Sequence, residues 1–329
     1  MHFPQAGCSL LIIASAFAGT TALTAEALAA RLFVSNERDN TVTVVDAETY
    51  EVVKVLKTGK RPRGIIITPE HDEVLVCIGD DNQLDVIDTT RLEIVRKMDS
   101  GPDPELLDVD PKGERVYIAN EDDALVTVIE RKSGKMIAEI PVGVEPEGMN
   151  VSPDSKIAVA TSESTSMAHF IDTATNTVLA DVLVDTRPRE SRFEPDGGKV
   201  WVSAEIGGSV SVIDAKTYRT VNKITFEIAG VRPELIQPVG IRFAPDEPIA
   251  FVALGPSNRV AVVNRETYKV ERYILVGERP WHMALHPDGK RLFVANGLSN
   301  DVTVVDIPSR RALKSFKVGR LPWGIAIQR

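Results

Sequence analysis

The chain has 329 residues, about twice the length of a typical domain, and its 43% hydrophobic and 26% charged residues argue against disorder. Its net charge of −9 repels phosphate backbones, so we expect no nucleic-acid partner. The 22 Gly and 20 Pro residues indicate many tight turns and therefore many short strands.

An apolar segment opens the chain. Residues 10–19 are LLIIASAFAG and lead to Ala27-Leu28-Ala29, an A-x-A cleavage pattern. This run is shorter than the roughly 20 residues that a bilayer span needs. Since no Lys or Arg precedes it, a misplaced start or an N-terminal arm is the alternative. We predict a signal peptide over 1–29 and a periplasmic mature protein without a membrane span.

The rest of the chain repeats with a period near 42 residues. Each unit holds four runs rich in Val and Ile, which we name strands A to D. Copies of strand B begin at residues 31, 73, 115, 156, 199, 249 and 291. Copies of strand A are predicted at 64–67, 106–109, 148–151, 190–193, 240–243, 282–285 and 324–327.

The order of these strands predicts a closed ring. The mature chain begins with strand B and the chain ends with strand A, so the two ends complete one blade and leave no open sheet edge. We therefore predict an all-β fold, a seven-bladed β-propeller of four-stranded antiparallel blades, as a single domain over 30–329. Asp46 and its counterparts at the end of strand C are predicted to cap the turn that follows.

The repeat resembles the YVTN family of β-propeller repeats. HPDGKRLFVANGLSNDVTVVD (286–306) and KVGRLPWGIAI (317–327) match the family consensus closely. The layout of the whole chain is similar to that of exported propellers found beside genes for quinone-dependent (PQQ) alcohol oxidation. The resemblance implies the fold and a role alongside such dehydrogenases, but propellers serve as binding modules, scaffolds and enzymes.

The loops between strand D and the next strand A gather on one face, around one mouth of the channel. Each holds a Pro, and the flanking residues differ in charge around the ring. We predict a ligand or partner site on this D–A loop face, with Trp281 and Trp323 as flat anchors. The predicted site residues are Arg61, Arg63, Glu105, Glu147, Arg187, Arg189, Trp281, His282 and Trp323. The alternative is that the loop charges are solvated and merely balance each other.

The B–C loops add acidic residues to the same face. They are Glu37, Asp39, Asp80, Asp81, Glu121, Asp122, Asp123, Glu163 and Glu205. Carboxylate clusters suit calcium or a lanthanide, but no EF-hand spacing is present. We therefore assign no cofactor and no metal ligands, and leave a divalent or trivalent cation at this rim as an alternative.

Two other features have structural interpretations. Residues 227–238 lengthen one D–A loop, and their apolar side chains either cap the channel or pack on a neighbouring blade. Cys77 occupies a position that holds Ser or Ala in other units, so we predict that it is buried and unreactive. Cys8 belongs to the predicted signal peptide.

His282 begins an inner strand where Gly64, Gly148, Gly240 and Gly324 stand in other units. No Ser-His-Asp order or Gly-rich phosphate loop is evident, so we predict a non-catalytic binding module, a monomer, for a periplasmic protein or a small ligand. The alternative is a propeller enzyme of lactonase or lyase type. It would use mouth carboxylates with His282 as acid and base, and the candidates are Glu105, Glu147 and Glu190. A carboxylate of raised pKa beside His282 would favour the enzyme, and solvated mouth carboxylates would favour binding.

Overall fold

The computed structural model describes residues 1–4 and 30–329. The predicted cleavage site and Cys8 lie outside the described residues, so the signal peptide stays a prediction. Among the described residues, no helix has the length and apolar character that crossing a membrane requires.

Twenty-eight strands form seven four-stranded sheets in the described part of the chain. The first fourteen are β1 Arg31–Asn36, β2 Thr41–Asp46, β3 Val52–Lys57, β4 Pro62–Ile67, β5 Glu73–Ile78, β6 Gln83–Asp88, β7 Glu93–Asp99, β8 Pro104–Val109, β9 Arg115–Asn120, β10 Leu125–Glu130, β11 Lys135–Pro141, β12 Pro146–Val151, β13 Ile157–Ser162 and β14 Met167–Asp172.

The second half of the chain continues the same order. Its strands are β15 Thr177–Leu183, β16 Pro188–Phe193, β17 Lys199–Ala204, β18 Ser209–Asp214, β19 Arg219–Thr225, β20 Ile241–Phe243, β21 Ile249–Ala253, β22 Arg259–Asn264, β23 Val270–Leu275, β24 Pro280–Leu285, β25 Arg291–Asn296, β26 Asp301–Asp306, β27 Arg311–Lys317 and β28 Pro322–Gln328. Short 3₁₀ turns cover Gly79–Asp81, Pro233–Leu235 and Gly255–Ser257.

The ring closes as predicted. Blade 1 has the strand order β28-β1-β2-β3, and blades 2 to 7 follow as β4–β7, β8–β11, β12–β15, β16–β19, β20–β23 and β24–β27. Antiparallel pairing joins the two ends of the ring, with Leu32 opposite Ile327 and Val34 opposite Ile325. The seven-bladed, all-β fold is confirmed.

The inner strands begin earlier than expected. Six of the seven start at a Pro, two residues before the predicted start, whereas β20 starts at Ile241. Proline lacks an N–H and is therefore tolerated at the first position of a strand. In β4 the register shifts between Pro62 and Ile65, so a bulge separates the Pro from the regular ladder.

The predicted turn caps are confirmed in most blades, whereas Glu130, the counterpart in blade 3, accepts a side-chain hydrogen bond from Ser133 instead. Oδ1 of Asp46 accepts hydrogen bonds from the backbone N–H groups of Glu48 and Thr49 at 2.8 Å each. The same bonds recur after strand C in other blades, at Asp88, Asp172, Asp214 and Asn264.

The core lies between neighbouring blades. One cluster joins Leu75 and Cys77 of blade 2 to Leu107 and Ile118 of blade 3. Cys77 is fully buried, as predicted, and burial raises the pKa of its thiol well above its usual value. The long D–A loop likewise packs between blades: Ile236 is buried in the cluster around Trp201. Of the two predicted roles, this loop therefore has the second, since it packs against blades 5 and 6.

Candidate functional site

The second position of each inner-strand repeat forms a layer at the D–A loop mouth, which we call the mouth layer. Its members are Arg63, Glu105, Glu147, Arg189, Val239, Trp281 and Trp323. Each follows the Pro that sets the start of strand A, so the repeat places all seven at one height around the channel. Contacts between them run from blade to blade.

Glu105 is the centre of the first charge cluster. Its carboxylate is fully buried and accepts hydrogen bonds from Arg63 Nη1 at 2.6 Å and Arg61 Nη1 at 3.1 Å. Burial alone would raise the pKa of Glu105, but the charge of Arg63 and then that of Arg61 outweigh burial, and the pKa stays below its usual value. Arg61 also pairs with Asp80 at 3.0 Å and with Asp103.

Arg189 is the centre of the second cluster. Its guanidinium is buried, lies 2.8 Å from Glu147 and also pairs with Glu163. Arg187 bridges Glu163 at 3.0 Å and Glu205 at 3.1 Å. Burial raises the pKa of Glu147 well above its usual value, although Arg189 opposes this shift.

These contacts show that the mouth carboxylates Glu105 and Glu147 are not solvated, so the observation that would favour a binding module is not made at these two residues. Glu105, Glu147 and Arg189 are each less than 5% exposed, so the alternative in which the loop charges are solvated is wrong for them. Two neighbouring acidic blades lie between two basic ones, so each glutamate has an arginine on the adjacent blade within reach. The sequence shows this charge order but not the channel width that decides between pairing and hydration.

The acidic B–C loops belong to the same network. Carboxylate oxygens of Asp103, Glu105 and Glu121 lie within 4.8 Å of one another. Burial, and then the charge of Glu105, raises the pKa of Glu121 to about 7. Arginine guanidiniums already pair with Asp103 and Glu105, so the cluster is balanced by side chains of the chain itself.

The two predicted anchors have different environments. Trp281 is partly exposed, whereas Trp323 is 1% exposed. Their rings stack at 6.5 Å between centroids, and the Arg279 guanidinium lies 4.3 Å from the Trp281 ring centroid. Trp323 therefore packs against Trp281 within the mouth layer, and Trp281 presents the aromatic surface.

His282 lies below the mouth layer. It is 3% exposed, its ring centroid is 4.2 Å from that of Trp323, and its Nδ1 is 3.6 Å from Oε2 of Glu190. Burial lowers the pKa of His282, so the imidazole is neutral at pH 7.

Glu190 does not have the raised pKa expected of a catalytic acid. Its carboxylate accepts hydrogen bonds from Arg192 at 2.5 Å, Arg242 at 2.6 Å and the backbone N–H of Ile241 at 2.6 Å. Burial opposes ionisation, yet the charges of Arg242 and Arg192 hold its pKa well below the usual value. Sequence reasoning missed both arginines. The sequence signal that could have found them is a charged residue at the fifth position of the inner-strand repeat, where three other blades have Ile66, Ala284 and Ala326.

A Ser-His-Asp contact in blade 4 was also missed, because three separate strands build it. Ser162 Oγ lies 2.9 Å from His169 Nε2, and His169 Nδ1 lies 2.6 Å from Asp181 Oδ1. Gly143 N–H also donates to His169 Nε2 at 3.0 Å, so that nitrogen is an acceptor and Nδ1 carries the proton. Ser162 is fully buried, so the group fastens the Gly143 loop to the blade and offers no accessible nucleophile.

Fold and site together define a seven-bladed β-propeller whose mouth is filled by buried ion pairs and stacked tryptophans. The family model for YNCE-like β-propellers matches residues 4–114, and that for the lactonase 7-bladed β-propeller matches residues 171–318. A comparison with curated protein sequences gave no significant match.

Solved structures share the fold. Hydrazine synthase of Kuenenia stuttgartiensis has a TM-score of 0.77 at 22% identity, covering 84% of this chain and 92% of that one. A protein of unknown function from Desulfotomaculum acetoxidans has a TM-score of 0.77 at 18% identity, covering 90% and 98%. A provisionally assigned 6-phosphogluconolactonase from Bacteroides fragilis has a TM-score of 0.75 at 17% identity, covering 91% and 98%. At these identities the likeness establishes the fold alone.

Proposed function

We propose that this propeller is a non-catalytic binding module of the periplasm, which binds a protein partner on its D–A loop face around Trp281. The observation that carries the proposal is the arrangement of Trp281 itself. Its ring is partly exposed, lies beneath the Arg279 guanidinium and stacks on buried Trp323. An aromatic ring already fixed by its neighbours loses little conformational freedom when a partner covers it.

The surrounding charges support binding for a similar reason. The Glu105 and Arg189 clusters are paired within the chain, so docking does not need to order them. Rim charges such as Asp80 and Arg187 are paired but about half exposed, so their field reaches solvent and can steer a partner during encounter.

The electrostatics below the mouth argue against acid catalysis by Glu190. Two arginines and a backbone N–H hold this carboxylate ionised, so it has no proton to donate near neutral pH. A lactonase remains a second candidate because the lactonase family model matches residues 171–318, which include Glu190 and neutral His282.

The resemblance to exported propellers supports a finer proposal, in which the protein is an accessory of quinone-dependent alcohol oxidation. Under this proposal its partner is a periplasmic protein. Immobilised propeller should retain that partner from a periplasmic extract, and runs with and without calcium or a lanthanide will show whether a cation is required.

Trp281→Ala tests the docking surface. Truncating a buried interface tryptophan typically costs about 2 kcal/mol or more, so the partner's Kd should rise by roughly thirtyfold. Surface plasmon resonance with the retained partner measures this change. Leu313→Ala, an exposed apolar truncation on outer strand β27, is the matched control and should leave Kd unchanged.

Two outcomes would contradict the proposal. One is unchanged affinity in a folded Trp281→Ala protein. The other is turnover of small lactones by the wild-type protein that is lost in His282→Asn, which would establish the enzyme instead.

A further inference from the structure

A cavity lies in the channel below the mouth layer, with a volume of about 200 Å³. Its lining comes mainly from the third to the last positions of the inner strands and includes Ile66, Asp108, Arg192, Arg242, His282 and Ala284. Since the D–A loops lie at the start of each inner strand, this cavity lies towards the A–B turns. Trp281 itself does not line the cavity, whereas Trp323, which stacks against Trp281, does.

Two guanidiniums in this cavity share one carboxylate. Arg192 Nη2 and Arg242 Nη1 both donate to Glu190 Oε1. Within the described residues, Arg192 Nη1 and both Nε and Nη2 of Arg242 make no hydrogen bond, and Arg192 Nε is buried without a partner. The side chains of Arg192 and Arg242 are 28% and 19% exposed, so their remaining donors are accessible from the cavity.

The other acidic residue that lines the cavity, Asp108, does not neutralise the positive charge that Arg192 and Arg242 have in excess of Glu190. Asp108 Oδ2 accepts hydrogen bonds from Asn150 Nδ2 at 2.6 Å and from the backbone N–H of Val151 at 2.8 Å. No ion pair within 4.0 Å joins Asp108 to an arginine of the described residues. Burial also raises the pKa of Asp108, although the charge of Arg192 opposes this shift.

Further polar atoms that line the cavity lack partners. Neither ring nitrogen of His282 makes a hydrogen bond, and Trp323 Nε1 is buried without an acceptor. Both residues line the cavity. Because a buried donor without an acceptor is costly, an acceptor group in the cavity would stabilise the arrangement.

The rest of the lining is apolar, with Leu106, Met149, Met283 and Ile325 among its members. A carboxylate matches the fork of a guanidinium, and a short hydrocarbon tail matches these walls. We propose that this cavity binds a small monocarboxylate anion, held at its charged end by Arg192 and Arg242 and packed at its other end against the apolar inner strands.

Butyrate titrated into wild-type protein tests the proposal without any mutation. In protein labelled with ¹³C at the methionine methyls, Met149 and Met283 line the cavity, whereas Met98 and Met136 lie in other parts of the blades. We expect saturable shifts of the Met149 and Met283 signals and none at Met98 and Met136. 1-Butanol, a neutral isostere, and inorganic phosphate should produce much weaker shifts.

Arg242→Gln provides the second arm, with calorimetry of butyrate binding as the measurement. Loss of a charge-assisted hydrogen bond should weaken binding by about tenfold or more. Arg219→Gln, the same change at an exposed position of outer strand β19, is the matched control and should bind butyrate normally.

The proposal fails if butyrate shifts neither Met149 nor Met283, which would leave water as the occupant of the cavity. It fails equally if butanol or phosphate binds as well as butyrate. An unchanged Kd in folded Arg242→Gln would also overturn it, and none of these outcomes bears on docking at Trp281.

Discussion

At the scale of single residues, the carboxyl groups of Glu121 and Glu105 lie so close together that one of them retains a proton. The two carboxyl groups interact directly, and Arg63 and Arg61 favour ionisation of Glu105 over that of Glu121. Keeping one proton on Glu121 avoids the repulsion between two negative charges. The pKa of Glu121 is accordingly raised to about 7. Its usual value, and the value expected in the unfolded chain, is 4.5.

This difference predicts a pH-dependent stability. Between about pH 4.5 and 7 the folded state binds the Glu121 proton and the unfolded state does not, so its contribution to stability is lost as pH rises through this window. Glu121→Gln should remove that slope, so that the free energy of unfolding of the variant declines less from pH 5 to 8 than that of the wild type. Urea unfolding at several pH values measures this.

Glu93→Gln is the control for that experiment, since Glu93 is exposed at the start of outer strand β7. Its stability curve should run parallel to that of the wild type. A parallel curve for Glu121→Gln as well would show that the two mouth carboxylates titrate independently.

At the scale of the element, glycine sets how closely inner strands approach. The third position of the inner-strand repeat is Gly64, Gly148, Gly240 or Gly324 in four blades. A Cβ at Gly64 would overlap the carbonyl oxygen of Glu105, and one at Gly148 would overlap that of Arg189. Each overlap is with the next blade, so the glycines allow neighbouring blades to contact backbone to backbone around the channel.

Gly148→Ala should therefore separate two blades. The added methyl group meets rigid backbone, and overpacking of this kind costs about 1–3 kcal/mol. Urea unfolding should show this loss in the free energy of unfolding. Gly198→Ala is the control because its nearest neighbour is the side chain of exposed Asp196 at 3.3 Å. Equal stability of the two variants would mean that the inner strands move apart easily.

The same strands show what a repeat can and cannot reveal. Recurring Val and Ile runs and Asp caps predict strands and turns, because these depend on local pattern. Pairing of Arg189 with Glu147 and Glu163 depends on how near three loops come in space, and the sequence gives no measure of that distance. His169 and Ser162 were missed for the same reason, since they meet across neighbouring strands of blade 4.

At the scale of the whole molecule, β28 couples closure of the ring to the mouth. The strand pairs with β1, and it carries Trp323, which supports Trp281 of blade 7. Ile325 and Ala326 of the same strand pack in two different inter-blade clusters. One strand therefore joins blades 7, 1 and 2, so its loss should affect the molecule as a unit.

Removal of residues 322–329 tests this coupling. Burial of a large apolar side chain is worth about 1.5–3 kcal/mol, so losing Trp323 and Ile325 together removes about 3–6 kcal/mol, a large part of the roughly 5–15 kcal/mol that stabilises a domain. The exposed edge of β1 would in addition recruit other chains. We expect the truncated protein to unfold at a much lower temperature and to form oligomers, as measured by calorimetry and light scattering.

A synthetic peptide of residues 320–329 tests whether the truncated protein is unstable because its ring is open or only because its chain is shorter. Added to the truncated protein, it should restore the monomer and raise the unfolding temperature, because it supplies the missing inner strand of blade 1. The same peptide with Ile325 replaced by Asp should not, since that side chain is buried between blades 7 and 1. A truncated protein that stays monomeric and unfolds at the wild-type temperature would show that six complete blades hold the ring without closure.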